Sequence, residues 1–191
     1  MFVFSRIFSK KAKFFDGNAH FGKTIFFYLS SPLDDFLSQF AEHLLKKSNL
    51  SISRQLLYPK EIYVLPEPVF KERHIIKMLS PLTVYSTLYK DEKKKTYYYS
   101  PMEKDFVEIL KENIRKKYSS FYEQEFDFDF ELKPLKIDKN LEKIIIYKNT
   151  VIKGWLGSYQ IESKPEIIKF AYDVGLGAKN SQGFGMFEIC S

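Results

Sequence analysis

Three histidines, one basic cluster and one glycine-rich loop hold most of the chemistry this 191-residue chain could perform. His20, His43 and His74 are its only histidines, and imidazole suits general acid–base work because it titrates near neutrality. His43 follows Phe36 by seven positions, on the same helical face, and reads as a packed or edge-of-core residue. His74 opens a strand and reads as a satisfied strand-end residue. His20 lies in Asn18-Ala19-His20-Phe21-Gly22, a turn that could approach a ligand, and it is the one candidate base; a merely exposed turn residue is the plainer reading. None of the three has a partner at a spacing that implies a dyad. Arg6, Lys10, Lys11 and Lys13 interleave with Phe8, Phe14 and Phe15. That mixture suits phosphate contact with base stacking, and it equally suits a solvated strand edge. Lys93-Lys94-Lys95 before Tyr97-Tyr98-Tyr99 carries the same two readings. Asp127, Asp129 and Glu131 alternate with Phe126, Phe128 and Phe130, which makes them the outward face of a strand rather than a metal site.

The loop reads Gly175-Leu176-Gly177-Ala178-Lys179-Asn180-Ser181-Gln182-Gly183-Phe184-Gly185 and contains four of the chain's eight glycines. Glycine is retained where φ must be positive or where no Cβ fits. Lys179, Asn180, Ser181 and Gln182, held between glycines, could present successive N–H groups to an anion. A tight connection that lets a helix pack on a sheet is the alternative. The loop follows a predicted helix over 163–172 and precedes a predicted strand over 183–189. Mononucleotide and dinucleotide loops run from strand to helix instead, and no Gly-Lys-Ser/Thr is present, so a nucleotide site is not expected.

Periodicity supplies the elements around these residues. In residues 71–191 a strand from His74 to Tyr85 precedes Ser100-Pro101-Met102-Glu103, which reads as a capping box with Pro at the first helical position. Phe106, Leu110 and Ile114 continue that helix. The alternating strand Phe126–Glu131, a hairpin of 141–147 and 151–161 around Lys148-Asn149-Thr150, the helix and the closing strand complete a β-α-β-β-α-β order, the ferredoxin-like unit. Residues 1–70 read as β-β-α-β, an incomplete unit of the same kind. Its strands are Phe2–Phe8 and Lys23–Leu29 about a turn at Asp16-Gly17-Asn18, then 52–58 and 61–64. Its helix is capped at Ser31-Pro32-Leu33-Asp34, with Phe36, Leu37, Phe40, Leu44 and Leu45 inward. Pro66 and Pro68 mark the joint. The fold class expected is α+β, two ferredoxin-like units in tandem.

The net charge of +6 is compatible with a polyanionic partner, although 26 Lys against 4 Arg also fits a compositional bias without function. Cys190 is the single cysteine, which excludes an intrachain disulfide and a cysteine zinc cluster. No apolar run reaches transmembrane length, and residues 1–15 have no signal-peptide core, so a cytoplasmic protein without membrane contact is expected.

Gly-x-Gly, a short polar insert and Gly-Phe-Gly before a closing strand resembles the signature of the RAMP proteins of CRISPR systems. Among them the chain is similar to the CRISPR-RNA-processing endoribonucleases, the sixth numbered Cas protein. Phe4-Ser5-Arg6-Ile7-Phe8, Leu79-Ser80-Pro81-Leu82-Thr83-Val84, the run from Tyr99-Ser100-Pro101 through Phe106, Asn113 and Lys117-Tyr118, and Lys153-Gly154-Trp155-Leu156-Gly157 follow in the family's order. The resemblance implies binding of CRISPR repeat RNA and its metal-independent cleavage, with neither metal nor cofactor. Arg6, Lys10, Lys11, Lys13, Gly175, Gly177, Lys179, Asn180, Ser181, Gln182, Gly183 and Gly185 would face the RNA. Other Cas proteins and a homodimer are further partners it leaves open. The match begins at the family's second strand, so the expectation is that the first strand and helix are missing and that no residue here inherits the family's catalytic histidine. A non-catalytic RNA-binding remnant, a structural subunit of an interference complex, or a loop that contacts only protein are the alternatives.

Overall fold

The computed structural model describes residues 1–52, 54–90, 93–135 and 138–190. Its C-terminal part is built on a four-stranded antiparallel sheet. The strands are β7 (Arg73–Met78), β10 (Phe130–Pro134), β13 (Ser158–Ser163) and β14 (Phe187–Cys190), in the spatial order β10-β13-β7-β14. Helix α2 (Lys104–Tyr122) joins β7 to β10, and α3 (Pro165–Val174) joins β13 to β14. That is the expected β-α-β-β-α-β order. Phe106, Leu110 and Ile114 from α2 and Ile167, Phe170, Ala171 and Val174 from α3 are buried against Ile76, Met78, Phe130, Leu132, Ile161 and Phe187 from the sheet. At roughly 1.5–3 kcal/mol for each fully buried large apolar side chain, this cluster dominates the stability of the fold.

Two hairpins extend the unit. β8 (Tyr85–Lys90) with β9 (Lys93–Tyr98) stands between β7 and α2, and β11 (Glu142–Tyr147) with β12 (Thr150–Trp155) stands between β10 and β13. The expected strand from His74 to Tyr85 therefore breaks in two. Residues 79–84 are all buried but run irregularly. Pro81 has no N–H for a ladder, and Ser80 and Thr83 turn their hydroxyls to the Met186 N–H and the Lys153 carbonyl. Burial keeps this stretch apolar without a strand. The long second hairpin arm also breaks, at Gly157, whose φ is +121°, and the chain passes there from one sheet to another.

Helix starts shift as well. Ser100 does not cap α2; Glu103 accepts the Ser100 N–H in a tight turn, and the helix begins at Lys104. Ser163 ends β13 and donates to the Asp129 carbonyl, leaving Lys164 as the N-cap of α3 and Pro165 as its first residue. Phe126, Phe128 and Phe130 do point inward and the acids outward, but pairing begins only at Phe130. Gly175 ends α3 as expected, with its N–H on the Ala171 carbonyl.

The N-terminal part departs further from expectation. β1 (Val3–Phe4) pairs with β4 (Leu29–Ser30), Phe8 bridges Phe26, and β2 (Lys13–Phe15) pairs with β3 (Asn18–His20). These pairs share nearly one register, so the segment is a single long β-arm that loses its ladder between residues 9 and 12. Asp16 and Gly17 both have positive φ, which makes the tip a two-residue turn of the hairpin-favouring kind. Helix α1 (Asp34–Lys46) contains no buried residue. Phe36, Leu37 and Leu44 are half-buried, while Phe40 and Leu45 are exposed. A short hairpin, β5 (Leu50–Ile52) with β6 (Gln55–Leu57), replaces the expected strand over 52–58, and residues 61–64 form no strand.

Candidate nucleic-acid interface

The glycine loop is fixed from below by Lys117, which sits on α2 three residues after the core residue Ile114. Its ammonium donates to the Gly175 carbonyl (2.9 Å), the Gly177 carbonyl (2.6 Å) and Asn180 Oδ1 (2.7 Å). Three donors meet three neutral acceptors, and no carboxylate pairs with this lysine among the described residues. Burial pushes its pKa down to about 7, because an enclosed charge without a counter-ion is costly. The three carbonyl dipoles act in the opposite direction by favouring the ammonium. Asn180 completes the brace, since its Nδ2 donates to the Leu176 and Phe184 carbonyls at 3.0 Å each.

Backbone bonds close the rest of the loop. Leu176 N–H donates to Gly185, Ala178 to Thr83, Gly185 to Pro81 and Gly183 to Asn180. The loop thus turns most of its donors inward, Gln182 N–H donates to the Lys179 carbonyl, and the expected row of free N–H groups shortens to Lys179, Asn180 and Ser181. The glycines answer to protein contacts. Gly177 and Gly185 have φ of +66° and +81°, and a Cβ there would overlap the Thr83 and Leu176 carbonyl oxygens respectively. A Cβ on Gly175 would meet Asn180 and Val3, and one on Gly183 would come within 2.9 Å of the Phe4 ring. Gly175, Gly177, Gly185 and Asn180 are buried, so they shape the loop instead of facing a ligand. Ala178, Lys179, Ser181, Gln182 and Gly183 form its accessible surface. Lys179 has φ of +62° and holds its ammonium 5.3 Å from the centre of the Tyr85 ring.

Strand β1 lies directly against this loop. Val3 is fully buried with Leu79 and Met186, and the Arg6 N–H donates to the Leu79 carbonyl. Arg6 therefore stands near the glycine loop, its guanidinium 5.9 Å from the Phe8 ring centre and its pKa lowered by partial burial. Lys10, Lys11 and Lys13 are not gathered there. They follow the β-arm toward its tip, where Phe14 and Phe15 are exposed.

The histidines separate cleanly. His74 accepts the Lys71 N–H at 2.7 Å, and burial with the nearby Lys71 charge lowers its pKa, so it is a neutral strand-end residue. His43 is exposed on α1, not packed as its spacing predicts, because that helix has no core over its outer face. His20 belongs to β3, stacks on Phe15 at 4.0 Å, and lies directly opposite Lys13 in the ladder. Spacing alone could not reveal that Lys13 partner, since seven residues and a turn separate the two. Lys117 was legible only in outline. A lysine on the face of Phe106, Leu110 and Ile114 is out of place, but nothing in the sequence says what it holds. The exposed Asp127, Asp129 and Glu131 gather no metal-ligand group among the described residues.

Comparison with known proteins identifies the family to which this fold belongs. The family described as CRISPR associated protein Cas6, C-terminal, matches residues 65–189. A CRISPR-associated endoribonuclease Cas6 of Methanocaldococcus jannaschii is 34% identical over 84% of this chain and 62% of its own length. One from Pyrococcus furiosus is 30% identical over 99% of this chain and 70% of its own. The chain thus spans a little under two thirds of the first relative. A solved structure of a CRISPR associated protein Cas6 superposes on the whole chain with a TM-score of 0.87 at 29% identity, covering 78% of that protein. A structure described as an RAMP protein binding different RNA substrates superposes with a TM-score of 0.90 at 23% identity, which speaks for the fold alone. The long match through the glycine loop and the sheet shows that this chain belongs to the Cas6 family of CRISPR-associated proteins.

Proposed function

We propose that this chain binds CRISPR repeat RNA across the glycine loop and β1, and that it serves the metal-independent endonucleolytic processing of that RNA. The observation that carries the reading is the braced loop. Lys117 and Asn180 hold it rigid while Lys179, Ser181 and Gln182 remain accessible. Preorganised donors and cations lose little freedom when a phosphate arrives, which favours backbone contact. The aromatic, basic arm extends the same surface, with Phe14 and Phe15 available for stacking on unpaired bases and Lys10, Lys11 and Lys13 for phosphates.

For cleavage, a base takes the proton of a ribose 2′-hydroxyl and the oxygen attacks the adjacent phosphorus. The bond to the 5′-oxygen breaks, that oxygen accepts a proton, and a 2′,3′-cyclic phosphate remains. His20 is the candidate base, and Lys13 opposite it is a cation able to stabilise the developing phosphorane charge. We read the place of work as the cytoplasm; no helix among the described residues is long and apolar enough to cross a membrane. Contact with other Cas proteins fits the same role.

The test is binding of labelled repeat RNA across a salt series, with product analysis in EDTA. Steep salt dependence is expected, and Lys179→Ala should lower the slope by about one. A 2′,3′-cyclic phosphate end that persists in EDTA and disappears in His20→Ala supports processing. Binding without cutting reduces the chain to an RNA-binding subunit, and affinity insensitive to salt removes the RNA reading altogether.

A further inference from the structure

The brace under the glycine loop depends on a count of donors. An ammonium has three N–H groups, and Lys117 uses all three, on the Gly175 carbonyl, the Gly177 carbonyl and Asn180 Oδ1. A neutral amine keeps only two, so loss of the proton leaves one enclosed acceptor empty and weakens the hold on the others. The three acceptors belong to different parts of the loop. Gly175 ends α3, Gly177 lies against Thr83, and Asn180 ties Leu176 to Phe184 and takes the Gly183 N–H on its own carbonyl. One proton therefore fixes the chain from 175 to 184, and with it the free N–H groups of Lys179, Asn180 and Ser181. No acid shares this duty. Leu79–Val84 and β1, which pack against the loop, have no titratable side chain. In the loop Lys179 lies over Tyr85, and beyond β1 Arg6 lies over Phe8. On α3 Asp173 pairs with Lys169 and Glu166 faces Tyr118, and on α2 itself Arg115 and Lys116 pair with Glu112. Burial alone depresses the Lys117 pKa, to about 7, so the proton that holds the loop is lost within the ordinary range of solution pH.

We propose that RNA binding at this loop is linked to protonation of Lys117, so that a phosphate arriving on the outer side draws a proton to the lysine on the inner side. This coupling rests on the loop being an RNA site and adds its regulation. A phosphate on the N–H groups of 179–181 brings negative charge toward Lys117, which favours the ammonium. The ammonium in turn holds those N–H groups in place for the phosphate. Each stabilises the other, and the coupling has the same size from either side. Lys117 touches no RNA; it is a positioning residue that acts through the loop. The sign follows from the two pKa values. The free chain loses the proton as pH rises through about 7, and the complex loses it at a higher pH. Affinity is therefore greatest below pH 7, falls as pH rises toward the pKa of the complex, and levels off above it. With the phosphate raising that pKa by about one, the fall is about tenfold.

Titration of repeat RNA carrying 2′-fluoro groups, which cannot be cut, into the full chain tests it at about pH 6, 7.5 and 9 and constant ionic strength. Calorimetry in two buffers of different ionisation enthalpy counts the protons taken up. The wild type should bind about tenfold more weakly at the highest pH than at the lowest, and take up a fraction of a proton at the middle one. Lys117→Met should bind weakly throughout, with no uptake. Lys117→Arg, whose charge is permanent, should bind without a pH step. His20→Ala should keep the step, which separates the buried lysine from the imidazole. The wild type and His20→Ala carry the test even where neither Lys117 variant folds. Wild-type affinity that is flat in pH, with no proton uptake, overturns the linkage and leaves salt-dependent RNA binding standing. A step that survives in Lys117→Met or Lys117→Arg, or vanishes in His20→Ala, assigns the proton elsewhere and overturns it as well. Failure to bind RNA at any pH removes the RNA reading, and the linkage with it.

Discussion

The two ends of the long chain treat the same amino acids in opposite ways. In the C-terminal part Phe106, Phe170 and Phe187 are almost wholly enclosed, whereas in the N-terminal part Phe14 is 77% exposed and Val64 96% exposed. Both regions are aromatic and both are basic. The difference lies in what each segment can pack against. α2 and α3 share one sheet, so every inward side chain finds a neighbour, while α1 buries no residue and reaches the N-terminal segment through the stacked rings of Phe36 and Phe2. A residue bound for a ligand can be displayed on either region, but only the first holds it in one place. The glycine loop is thus a rigid feature of the folded core, and the β-arm is an extension whose side chains are free to adapt.

The largest effect expected from this contrast is at Gly185. A side chain there needs a positive φ and overlaps the Leu176 carbonyl that the loop must keep. Gly185→Val should cost roughly 4 kcal/mol or more and lower the urea midpoint of the whole domain. Gly17, at the arm's tip, also has positive φ but meets nothing within 4 Å. Gly17→Ala should cost only about 1–2 kcal/mol, confined to the tip. Equal losses at the two glycines would mean that the arm is as integral to the fold as the loop.

Lys117 gives the next test. Lys117→Met removes an ion that no carboxylate compensates, yet it strands three acceptors under the loop. With each unsatisfied buried acceptor costing about 1–3 kcal/mol, and relief from desolvation set against that, a net loss of roughly 2–4 kcal/mol is expected. pH separates the contributions. The folded pKa is depressed to about 7, so between pH 7 and the ordinary lysine range the unfolded chain holds more protons than the folded one. Stability therefore rises with pH through that window, and the desolvation cost is fully present below it. Urea unfolding at pH 6.5 and 9.5 should show the wild type gaining on Lys117→Met at the higher pH. An unchanged gap would mean that the ammonium stays charged, held by its three carbonyls.

How much of this was legible beforehand follows the same division. The order of strands and helices in residues 71–191 could be read because Phe106, Leu110 and Ile114, and the aromatics of 126–130, keep the period of the surface they cover. Where burial did not coincide with regular structure, the pattern misled. Residues 79–84 are as apolar as a strand because they are enclosed, yet Pro81 and the bonds of Ser80 and Thr83 deny them a ladder. In the N-terminal part the helical spacing of Phe36 and Phe40 was real, but spacing cannot say whether a partner surface exists. The glycine loop was visible as a loop. That Asn180 points inward and Lys117 closes it from another helix is a tertiary fact with no local sequence signal.

The smallest effect on stability should come from the arm's own aromatics, and it sharpens the contrast most. Phe14 and Phe15 touch no core cluster, so replacing both with serine removes little buried area and should change stability by no more than about 0.5 kcal/mol. If the arm stacks on bases, however, each lost ring should weaken binding of unpaired repeat RNA by about 1–3 kcal/mol. Loss of Phe15 would also free His20 from its stack. Calorimetric melting paired with RNA titration of Phe14→Ser, Phe15→Ser and the double variant separates the two consequences. Intact melting with weakened RNA binding identifies the arm as a surface shaped for a ligand rather than for the fold. A large fall in melting temperature would instead show that the arm is packed in solution, and the distinction between the two regions would fail at its most exposed point.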